Sequence, residues 1–569
     1  MNFKAWLFKV AVCGLCVLML GPGIANAVDY GPNTISSFLN KEGRETVFKP
    51  KWANFVLHTA LQRKFYSQRS YMPVWIDASG YPNQMASVLR ETLLSADRHG
   101  LNPQDYWNAT LESAFVSSQE DPRIGITFEF VATEAVLRYG QHLFQGRVMP
   151  SSVDEDIKYE GNIFSDKEIV IIASAVNKGP SEFASALEVL APPLPRYKDF
   201  MKVLEYFRSV KAKGGWAVIK SPGMIMKKGV KADAIVQIRQ RFNELGYQIS
   251  VGSENFDDEF DAVLRKFQKE NGLTIDGVIG INRSAVLQAL NKSIDDRIVQ
   301  IEVTMEKLRW LPRTFEQRFI FVNLAASEFR LFEGNKLVMS FRTVNGQKLR
   351  QTPSMKDFIQ EVVLNPTWTV PDTLAIQDKW PLLKVDRTYL VNHKMVVTQN
   401  GHVVDSTSID WTMKSAYDFD QNNPNRFIIT QLPGYDNALG VVKFPLVKNN
   451  QAIYMHDTNE RDLFNLGERH KSSGCVRLEE PLKLAEYLLQ DQSEWSLSKI
   501  MQVVPSAVEA QPRKTIYVPL TKRMPVYLMY LTVERGTDGA IRFLPDDYGQ
   551  DERLNKALHQ INEDGVGLQ

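Results

Sequence analysis

The spacing of hydrophobic residues changes twice along the chain. From residue 28 to about 225, apolar residues recur mainly at the three- and four-residue spacing of amphipathic helices,. Residues 232–291 repeat this spacing in shorter segments separated by turns. From about Arg318 onward the period becomes strand-like,. The pattern predicts a multidomain α+β protein with a helical scaffold domain (28–225), a small three-helix module (232–291) and a β-rich domain (297–569).

Short β-prone segments predict the strands of the third domain. Residues 329–341 are expected to form a hairpin around the turn at 333–336,. The segment 372–425 is richer in polar and aromatic residues, and we interpret it as a cap inserted into the domain. A helix is expected at 482–489. The predicted strands are 319–324, 329–332, 337–341, 360–364, 394–398, 426–430, 515–518 and 526–531.

The N-terminus has the pattern of an export signal. Lys4 and Lys9 precede the apolar run Val10–Leu20, and Ala25-Asn26-Ala27 supplies small residues for cleavage before Val28. The run has about 11 residues, whereas a membrane-spanning helix needs about 20. We therefore predict a cleaved signal peptide over residues 1–27. The alternative is an uncleaved N-terminal anchor.

Composition narrows the class of protein. The 569 residues are 44% hydrophobic and 23% charged, which is typical of folded globular domains,. Lys and Arg number 67 and Asp and Glu 66, so no broad basic field exists to bind nucleic acid,. The three cysteines are too few for a disulfide scaffold,. Removal of the signal would take Cys13 and Cys16 with it and leave Cys475 as the mature chain's only thiol.

Candidate chemistry lies around that thiol. The segment Ile453–Thr458 contains His456, and after thirteen residues Ser472-Ser473-Gly474-Cys475-Val476-Arg477 follows. A thiol attacks as its thiolate, and an imidazole can take the proton and return it to a leaving amine. Gly474 allows close approach to the backbone, so the amides of residues 473–475 are candidates for binding an oxyanion. A buried, inert cysteine is the alternative.

Two histidines compete for the role of base. His456 ends an apolar, β-prone run, whereas His470 lies among Glu468, Arg469 and Lys471 and is expected to face solvent. The spacing therefore favours His456. Zinc binding by these histidines and Cys475 is an alternative, but the spacing matches no common zinc motif.

The motif His456…Ser472-Ser473-Gly474-Cys475-Val476-Arg477 resembles that of the L,D-transpeptidases, whose catalytic domain is of the YkuD type. The stretches 365–371 (Asn-Pro-Thr-Trp-Thr-Val-Pro) and 437–440 (Asn-Ala-Leu-Gly) resemble the large YcbB-like branch. Residues 232–291 resemble a peptidoglycan-binding domain through Leu245-Gly246-Tyr247, Phe267-Gln268, Gly272-Leu273 and the turn 276–280. A helical spacer that binds nothing is the alternative for this module.

The resemblance implies a role for each matching residue. Cys475 matches the nucleophile and His456 the general base, with a backbone carbonyl as the expected partner of the ring. Tyr454, Ser473, Gly474 and Arg477 match positions that line the oxyanion site or orient the substrate. Two positions depart from many small members of the family. Ser473 stands where they have His, and Asp457 stands where they have Gly.

The implied activity is a cofactor-independent acyl transfer that forms 3→3 cross-links between peptidoglycan stem peptides. Donor and acceptor stems would be the substrates, wall-synthesis enzymes the candidate protein partners, and carbapenems the expected inhibitors. The implied location is the periplasm of a Gram-negative bacterium, with a role in cell wall synthesis and cell shape. The alternatives are a hydrolase on the same scaffold and a wall-binding protein whose catalytic domain has decayed.

Overall fold

The computed structural model of the chain describes residues 30–41, 46–48, 55–281, 284–448, 452–505, 513–536 and 540–564. The predicted export signal over residues 1–27 lies outside these ranges. Within them, none of the helices combines the length and the apolar character needed to cross a bilayer. The chain divides into two compact units, Met1–Arg147 with Asn162–Met201, and Val148–Gly161 with Lys202–Gln569.

The first unit is mainly helical, as its apolar spacing predicts. Two short antiparallel strands, β1 (Thr46–Phe48) and β2 (Phe55–Leu57), depart from that expectation. The helices up to residue 212 are α1 (Pro32–Lys41), α2 (Thr59–Ser67), α3 (Gln84–Leu94), α4 (Ala109–Glu120), α5 (Gly125–Gln145), α6 (Pro150–Val153), α7 (Asp166–Asn177), α8 (Pro180–Leu187) and α9 (Pro195–Ala212). Of these, α6 and the end of α9 belong to the second unit.

Helix α5 forms the centre of the first unit and is buried on nearly every side. Its Glu129 accepts a hydrogen bond from the Tyr66 hydroxyl at 2.7 Å. The amides of Val74 and Trp75 also donate to this carboxylate, each at 2.7 Å. Burial nevertheless raises the pKa of Glu129 to about 7,. These contacts tie the loop before α3 to the central helix.

The three-helix module has the predicted organisation, with α10 (Asp233–Glu244), α11 (Asp258–Glu270) and α12 (Ala285–Leu290). Phe242 lies at its centre, with ring centroids 5.8 Å from Phe260 and 5.3 Å from Phe267. The Gln268 side chain donates to Asp276 at 2.8 Å and accepts from the Gly277 amide at 2.9 Å. Gln268 therefore fixes the turn at 276–280.

The β-rich domain is built on one large sheet. Its strands are β3 (Arg318–Asn323), β4 (Glu328–Glu333), β5 (Lys336–Gly346), β6 (Met355–Leu364), β11 (Val442–Pro445), β12 (Tyr454–His456), β13 (His470–Ser472), β14 (Val476–Leu478) and β15 (Ile516–Met529). Across the described residues the order is β13-β5-β14-β12-β11-β6-β15-β3-β4, and β4 also pairs with β5. The sheet therefore closes on itself around an apolar core.

The segments predicted as separate strands at 515–518 and 526–531 are one strand, β15. The polar stretch between them disguises it, because the register with β6 shifts between Pro519 and Met524. Helices α13 (Ile294–Arg309), α17 (Pro481–Leu489), α18 (Leu497–Val503) and α19 (Gln550–Asp564) and the hairpin of β16 (Val533–Arg535) and β17 (Ile541–Phe543) complete the domain.

The predicted cap has its own sheet, in the order β7-β10-β8-β9. Its elements are β7 (Trp368–Thr369), α14 (Asp372–Leu374), a π-helical turn (Ala375–Lys379), α15 (Trp380–Val385), α16 (Tyr389–Asn392), β8 (Met395–Gln399), β9 (His402–Val404) and β10 (Phe427–Gln431). The sheet thus includes residues on both sides of the interval 372–425. A separate apolar core forms around Trp411, Phe419 and Phe427.

The three-helix module contacts the β-rich domain through Leu245 and Glu270. The Ile541 amide donates to the Leu245 carbonyl at 2.8 Å. Arg542 pairs with Glu270 at 2.8 Å. These contacts attach the module to β17, within the same compact unit of the chain.

Candidate active site

Three adjacent strands place the candidate residues on one face of the sheet. On β11 and β12, Lys443 lies directly opposite His456. On β12 and β14, which run parallel, His456 is paired with Arg477. The alternate residues Phe444, Met455 and Val476 belong to the apolar core. Because side chains alternate along a strand, the polar residues share the opposite face.

The parallel pairing of β12 and β14 explains why His456 and Cys475 are far apart in sequence. Parallel strands require a crossover connection, and residues 457–475 provide it. That connection contains a 3-10 turn (Arg461–Asn465) and strand β13. Cys475 stands immediately before β14, at the end of the crossover.

A tight turn holds Cys475, the candidate nucleophile. The Ser472 hydroxyl donates to the Cys475 carbonyl at 2.6 Å and accepts from the Gly474 amide at 3.2 Å. Gly474 has φ +114°, a conformation that favours glycine,. The Thr352 hydroxyl donates to the Gly474 carbonyl at 2.8 Å. Since the Gly474 amide is engaged within the turn, only the amides of Ser473 and Cys475 remain as oxyanion donors among the three proposed from sequence.

The Cys475 thiol is half-buried and lies 4.0 Å from the Ala452 carbonyl oxygen. Burial raises the pKa of Cys475 above its ordinary value. The backbone and hydroxyl of Tyr454 and the positive charges of Lys443 and Arg477 oppose that shift in pKa,. The resting side chain is therefore a thiol whose surroundings are arranged to accept negative charge.

Tyr454 links the thiol to the stretch 365–371. Its hydroxyl hydrogen-bonds to Cys475 and to the side chain of Trp368. The Lys443 ammonium lies over its ring, 4.0 Å from the centroid. Burial raises the pKa of Tyr454, so the phenol stays protonated and can donate to sulphur,. Trp368 is thereby part of the site, although the sequence indicated only the motif that contains it.

His456 is buried and neutral. Burial lowers its pKa to about 3, with Arg477 and Lys443 adding to the effect. Its Nδ1 atom is buried without a full hydrogen bond, although the backbone at Asp457 and Leu439 partly offsets the fall in pKa. The Tyr454 and His456 rings meet edge to face, with centroids 5.4 Å apart. A hydrogen bond from Tyr454 lowers the pKa of the Cys475 thiol.

The turn 437–440 brings the Leu439 backbone to His456. The Asn437 side chain accepts from the Leu439 amide at 2.8 Å and donates to the Leu432 carbonyl at 2.9 Å. Gly440 has φ +60°, and a side chain there would collide with the Asp457 carboxylate. Asp457 in turn accepts from the Val441 amide at 3.0 Å and from Arg461 at 2.9 Å. Asp457, which stands where many small members of the family have Gly, therefore helps to hold the turn beside His456 in place.

Arg477 and Ser473 have partners outside the sheet. Arg477 forms an ion pair with Glu460 and lies 3.4 Å from the Thr458 hydroxyl. The Ser473 hydroxyl accepts from Arg350 at 3.1 Å, and Arg350 also binds both carboxylate oxygens of Asp378 in the cap, at 2.8 Å each. A chain of contacts thus joins the turn of residues 472–475, the candidate catalytic turn, to the cap.

The expected exposure of His470 was wrong. The side chain is buried on β13, where its Nε2 donates to the Leu324 carbonyl at 2.9 Å. Its Nδ1 lies 3.1 Å from a carboxylate oxygen of Asp547, and its ring packs on Tyr548. Flanking charged residues misled the sequence interpretation, because the alternation along β13 leaves Lys471 exposed and buries His470. In the described residues, no group of three or more His, Cys, Asp or Glu side chains is placed to hold a metal ion.

Comparison with known proteins assigns the class of each region. Residues 60–204 match a scaffold domain, residues 231–287 a "Putative peptidoglycan binding domain", and residues 317–517 the YkuD family, the L,D-transpeptidase catalytic domain. The chain therefore carries a YkuD L,D-transpeptidase catalytic domain together with scaffold and peptidoglycan-binding domains. The resemblance and the α+β fold class predicted from sequence are confirmed.

A curated relative from Haemophilus influenzae is described as "Putative L,D-transpeptidase" and is 35% identical over 270 residues. The match covers 47% of this chain and 50% of the relative, so the chain spans about half the length of that protein.

Two solved L,D-transpeptidase structures align with low similarity. That from Stackebrandtia nassauensis is 11% identical, with 55% of this chain and 97% of that chain covered and a TM-score of 0.20. That from Xylanimonas cellulosilytica is 12% identical, with 54% and 97% covered and a TM-score of 0.17. Both TM-scores are too low for these structures to support a statement about the site.

Proposed function

We propose that this protein is a peptidoglycan L,D-transpeptidase that works through a Cys475 acyl-enzyme. The observation that carries the proposal is the environment of the thiol. Cys475 is half-buried, its sulphur is bonded by Tyr454, and the charges of Lys443 and Arg477 favour its ionised form. The match of residues 317–517 to the YkuD catalytic domain supports the same reading.

In the first step, the Cys475 sulphur attacks the carbonyl carbon of the L-centre residue that precedes the terminal D-residue of a tetrapeptide stem. A C–S bond forms and the C–N bond to the D-residue breaks. The thiol proton passes to His456 and then to the leaving amine. The free D-amino acid departs, and a thioester remains on Cys475.

The resting pair is a neutral thiol and a neutral imidazole, because burial raises the pKa of Cys475 and lowers that of His456. A neutral imidazole is the form that accepts a proton. Proton transfer therefore accompanies the attack on the carbonyl. The amides of Ser473 and Cys475 are the proposed donors to the oxyanion that forms.

The Leu439 carbonyl is the proposed partner that orients His456. The Asn437 side chain and Gly440 fix the turn that presents this carbonyl. Its effect on the pKa of His456 has the sign expected of an acceptor that faces an imidazole N–H,. This assignment supplies the backbone partner that the sequence left unnamed.

In the second step, the amine of a diamino acid in another stem attacks the thioester. The new C–N bond forms, the C–S bond breaks, and a proton from the amine returns to sulphur through His456. The product is a 3→3 cross-link. The substrate is found outside the cytoplasm, which agrees with the export signal predicted at residues 1–27.

The decisive experiment incubates the mature chain with tetrapeptide-containing peptidoglycan fragments and analyses the products by mass spectrometry. We expect cross-linked dimers and a covalent adduct on the peptide that contains Cys475. A Cys475→Ala variant should lose both, with a rate loss of about 10⁴-fold or more. Trimmed stems without dimers would favour the hydrolase, and undiminished cross-linking by a folded Cys475→Ala variant would contradict the proposal.

Carbapenem acylation gives a second readout of the nucleophile. A carbapenem carbonyl should acylate Cys475 with opening of the β-lactam ring, so that the intact antibiotic mass is added to the cysteine peptide. Because acylation by an antibiotic needs no acceptor stem, this reaction separates the nucleophile assignment from the choice between transferase and hydrolase. An adduct confined to a serine would contradict the assignment.

A further inference from the structure

Arg477, Arg350 and Lys443 adjoin the catalytic turn, a fourth cation, Lys379, lies over the Trp368 ring, and the four differ in their partners. Arg477 is paired with Glu460, and Arg350 is paired with Asp378. Lys379 donates to the Tyr389 hydroxyl at 3.1 Å. Within the described part of the chain, Lys443 has no carboxylate within ion-pair distance and no hydrogen-bond acceptor, and its ammonium lies over the Tyr454 ring.

Lys443 lies where a substrate must bind. It lies opposite His456 on the neighbouring strand, on the face of the sheet that carries the site. Its ammonium is 4.0 Å from the Tyr454 ring centroid, and the Tyr454 hydroxyl is bonded to the thiol. The residue is half-buried. A half-buried ammonium beside a nucleophile, with no anion of its own, is suited to receive one from a ligand.

The charges around Lys443 agree with that role. Burial lowers its pKa, while Cys475 and Glu361 favour the charged form. Glu361 lies two positions along β6 from Val363, the residue opposite Lys443. Arg477 and Lys443 both act on His456, which carries no charge of its own at neutral pH. A bound carboxylate would relieve this concentration of positive charge.

The donor stem carries such an anion close to the scissile bond. Its terminal D-residue ends in a carboxylate whose carbon is three bonds from the carbonyl carbon under attack. Bond lengths of 1.3–1.5 Å place these two carbons about 3–4 Å apart. When the carbonyl carbon meets the Cys475 sulphur, the carboxylate therefore falls among the side chains that adjoin the thiol.

We propose that Lys443 binds the terminal carboxylate of the donor stem and so selects stems that end in a free acid. The inference rests on the proposed function and deepens it, because it assigns donor selection to a residue outside the Cys-His motif. Lys443 touches the leaving group in this scheme. Its ammonium would hold the D-residue while the C–N bond breaks and release it as a free amino acid.

The test compares two donors in single-turnover acylation without an acceptor. One donor is a tetrapeptide stem with a free terminal carboxylate, and the other is the same stem with a C-terminal amide. Mass spectrometry follows the acyl-enzyme in the wild type, Lys443→Gln and Lys443→Arg. The control is Lys448→Gln, since Lys448 is exposed and its ammonium lies 5.3 Å from the Phe358 ring centroid. Iodoacetamide alkylation of Cys475 reports the thiol in every variant.

The wild type and Lys448→Gln should prefer the acid donor about 10–100-fold, the effect of a hydrogen bond to a charged group. Lys443→Gln should lose that preference by slowing the acid donor alone, and Lys443→Arg should keep most of it. Alkylation by the neutral iodoacetamide should change little. These results together would support the assignment, because a folding defect would slow both donors and alter alkylation as well.

Two outcomes would overturn it. If Lys443→Gln retains the preference for the acid, another group binds the carboxylate. If it slows both donors and alkylation in parallel, Lys443 acts on the thiolate instead. A wild type that acylates with neither donor while iodoacetamide still modifies Cys475 would count against the proposed function itself, which distinguishes the two failures.

Discussion

Strands β12 and β13 are alike in length and burial, yet they use a histidine in opposite ways. Each is a three-residue strand with a buried histidine, and each runs parallel to a neighbouring strand. On β13, Nε2 of His470 donates to the Leu324 carbonyl, and carboxylate oxygens of Asp547 and Glu468 lie 3.1 Å and 3.6 Å from Nδ1, which is buried without a full hydrogen bond. On β12, Nδ1 of His456 is buried without a full hydrogen bond, and burial lowers the pKa to about 3.

The difference shows what separates a structural histidine from a candidate base. The hydrogen bond to Leu324 and the neighbouring carboxylates hold the His470 ring in place, which suits a structural role,. The His456 ring lies beside cations instead, which lower its pKa and keep it able to accept a proton, and such perturbed groups concentrate at functional sites,. Burial alone does not distinguish the two residues, because both side chains are almost inaccessible to solvent.

The strongest test of this comparison is a pair of alanine substitutions. His456→Ala should slow acylation by about 10²–10⁴-fold, the usual cost of losing a general base. His470→Ala should slow it by about tenfold at most. Part of the His456→Ala deficit should recover at high pH, where the thiol ionises without a base. Acylation rates measured by mass spectrometry check the expectation, and a larger loss in His470→Ala would reverse the two roles.

The free energy of unfolding should show the opposite order, with the larger loss in His470→Ala and the smaller loss in His456→Ala. His470→Ala leaves the Leu324 carbonyl without its donor, at a cost of about 1–3 kcal/mol,. His456→Ala removes a ring whose Nδ1 has no full hydrogen bond, so the loss from polar contacts should be smaller. Urea unfolding of both variants measures this. Equal losses would show that the contacts of His470 contribute little.

A smaller effect is expected from the turn that joins the two regions, because Ser472 ends β13 and bonds to Cys475. Ser472→Ala removes both hydrogen bonds of that hydroxyl and should reduce acylation by about 10–100-fold through misplacement of the sulphur. Ser473→Ala should lose several-fold less, since the Ser473 hydroxyl contacts Arg350. Similar losses in both variants would argue against a specific role for Ser472.

The last expected effect is on the pH dependence of the free energy of unfolding. Unfolded His456 takes up a proton below about pH 6.5, whereas the folded ring stays neutral to about pH 3. Protons therefore favour the unfolded state in this window, and stability should fall by about 1.4 kcal/mol per pH unit at most as pH decreases. Denaturation from pH 7 to 4 should show a weaker dependence in His456→Gln. His470→Gln should retain this contribution, and identical profiles for the wild type and His456→Gln would contradict the low pKa.

Elements with a sustained local pattern could be predicted from sequence. The three-helix module follows from its spacing, because each buried residue lies within a few positions of its neighbours in the helix. The sequence predicts two strands where the structure has the single strand β15, because Lys522 and Arg523 interrupt its apolar residues where the register shifts. The cap sheet extends beyond the predicted interval 372–425, to Trp368 and Gln431. Pairing between strands that are distant in sequence sets its limits, and a local pattern does not show that pairing.

The sequence by itself determined the domain order, the fold class and the motif around Cys475, because these depend on residue type and spacing along short stretches. Only the tertiary structure decided which groups adjoin the thiol. Lys443 and Trp368 come from separate strands. Nothing in the local pattern marks Lys443, and the motif 365–371 does not by itself place Trp368 beside the thiol. The burial of His470 depends on Leu324 and Asp547, which are distant in sequence. Sheet pairing brings such residues together, and a local sequence pattern does not encode that pairing.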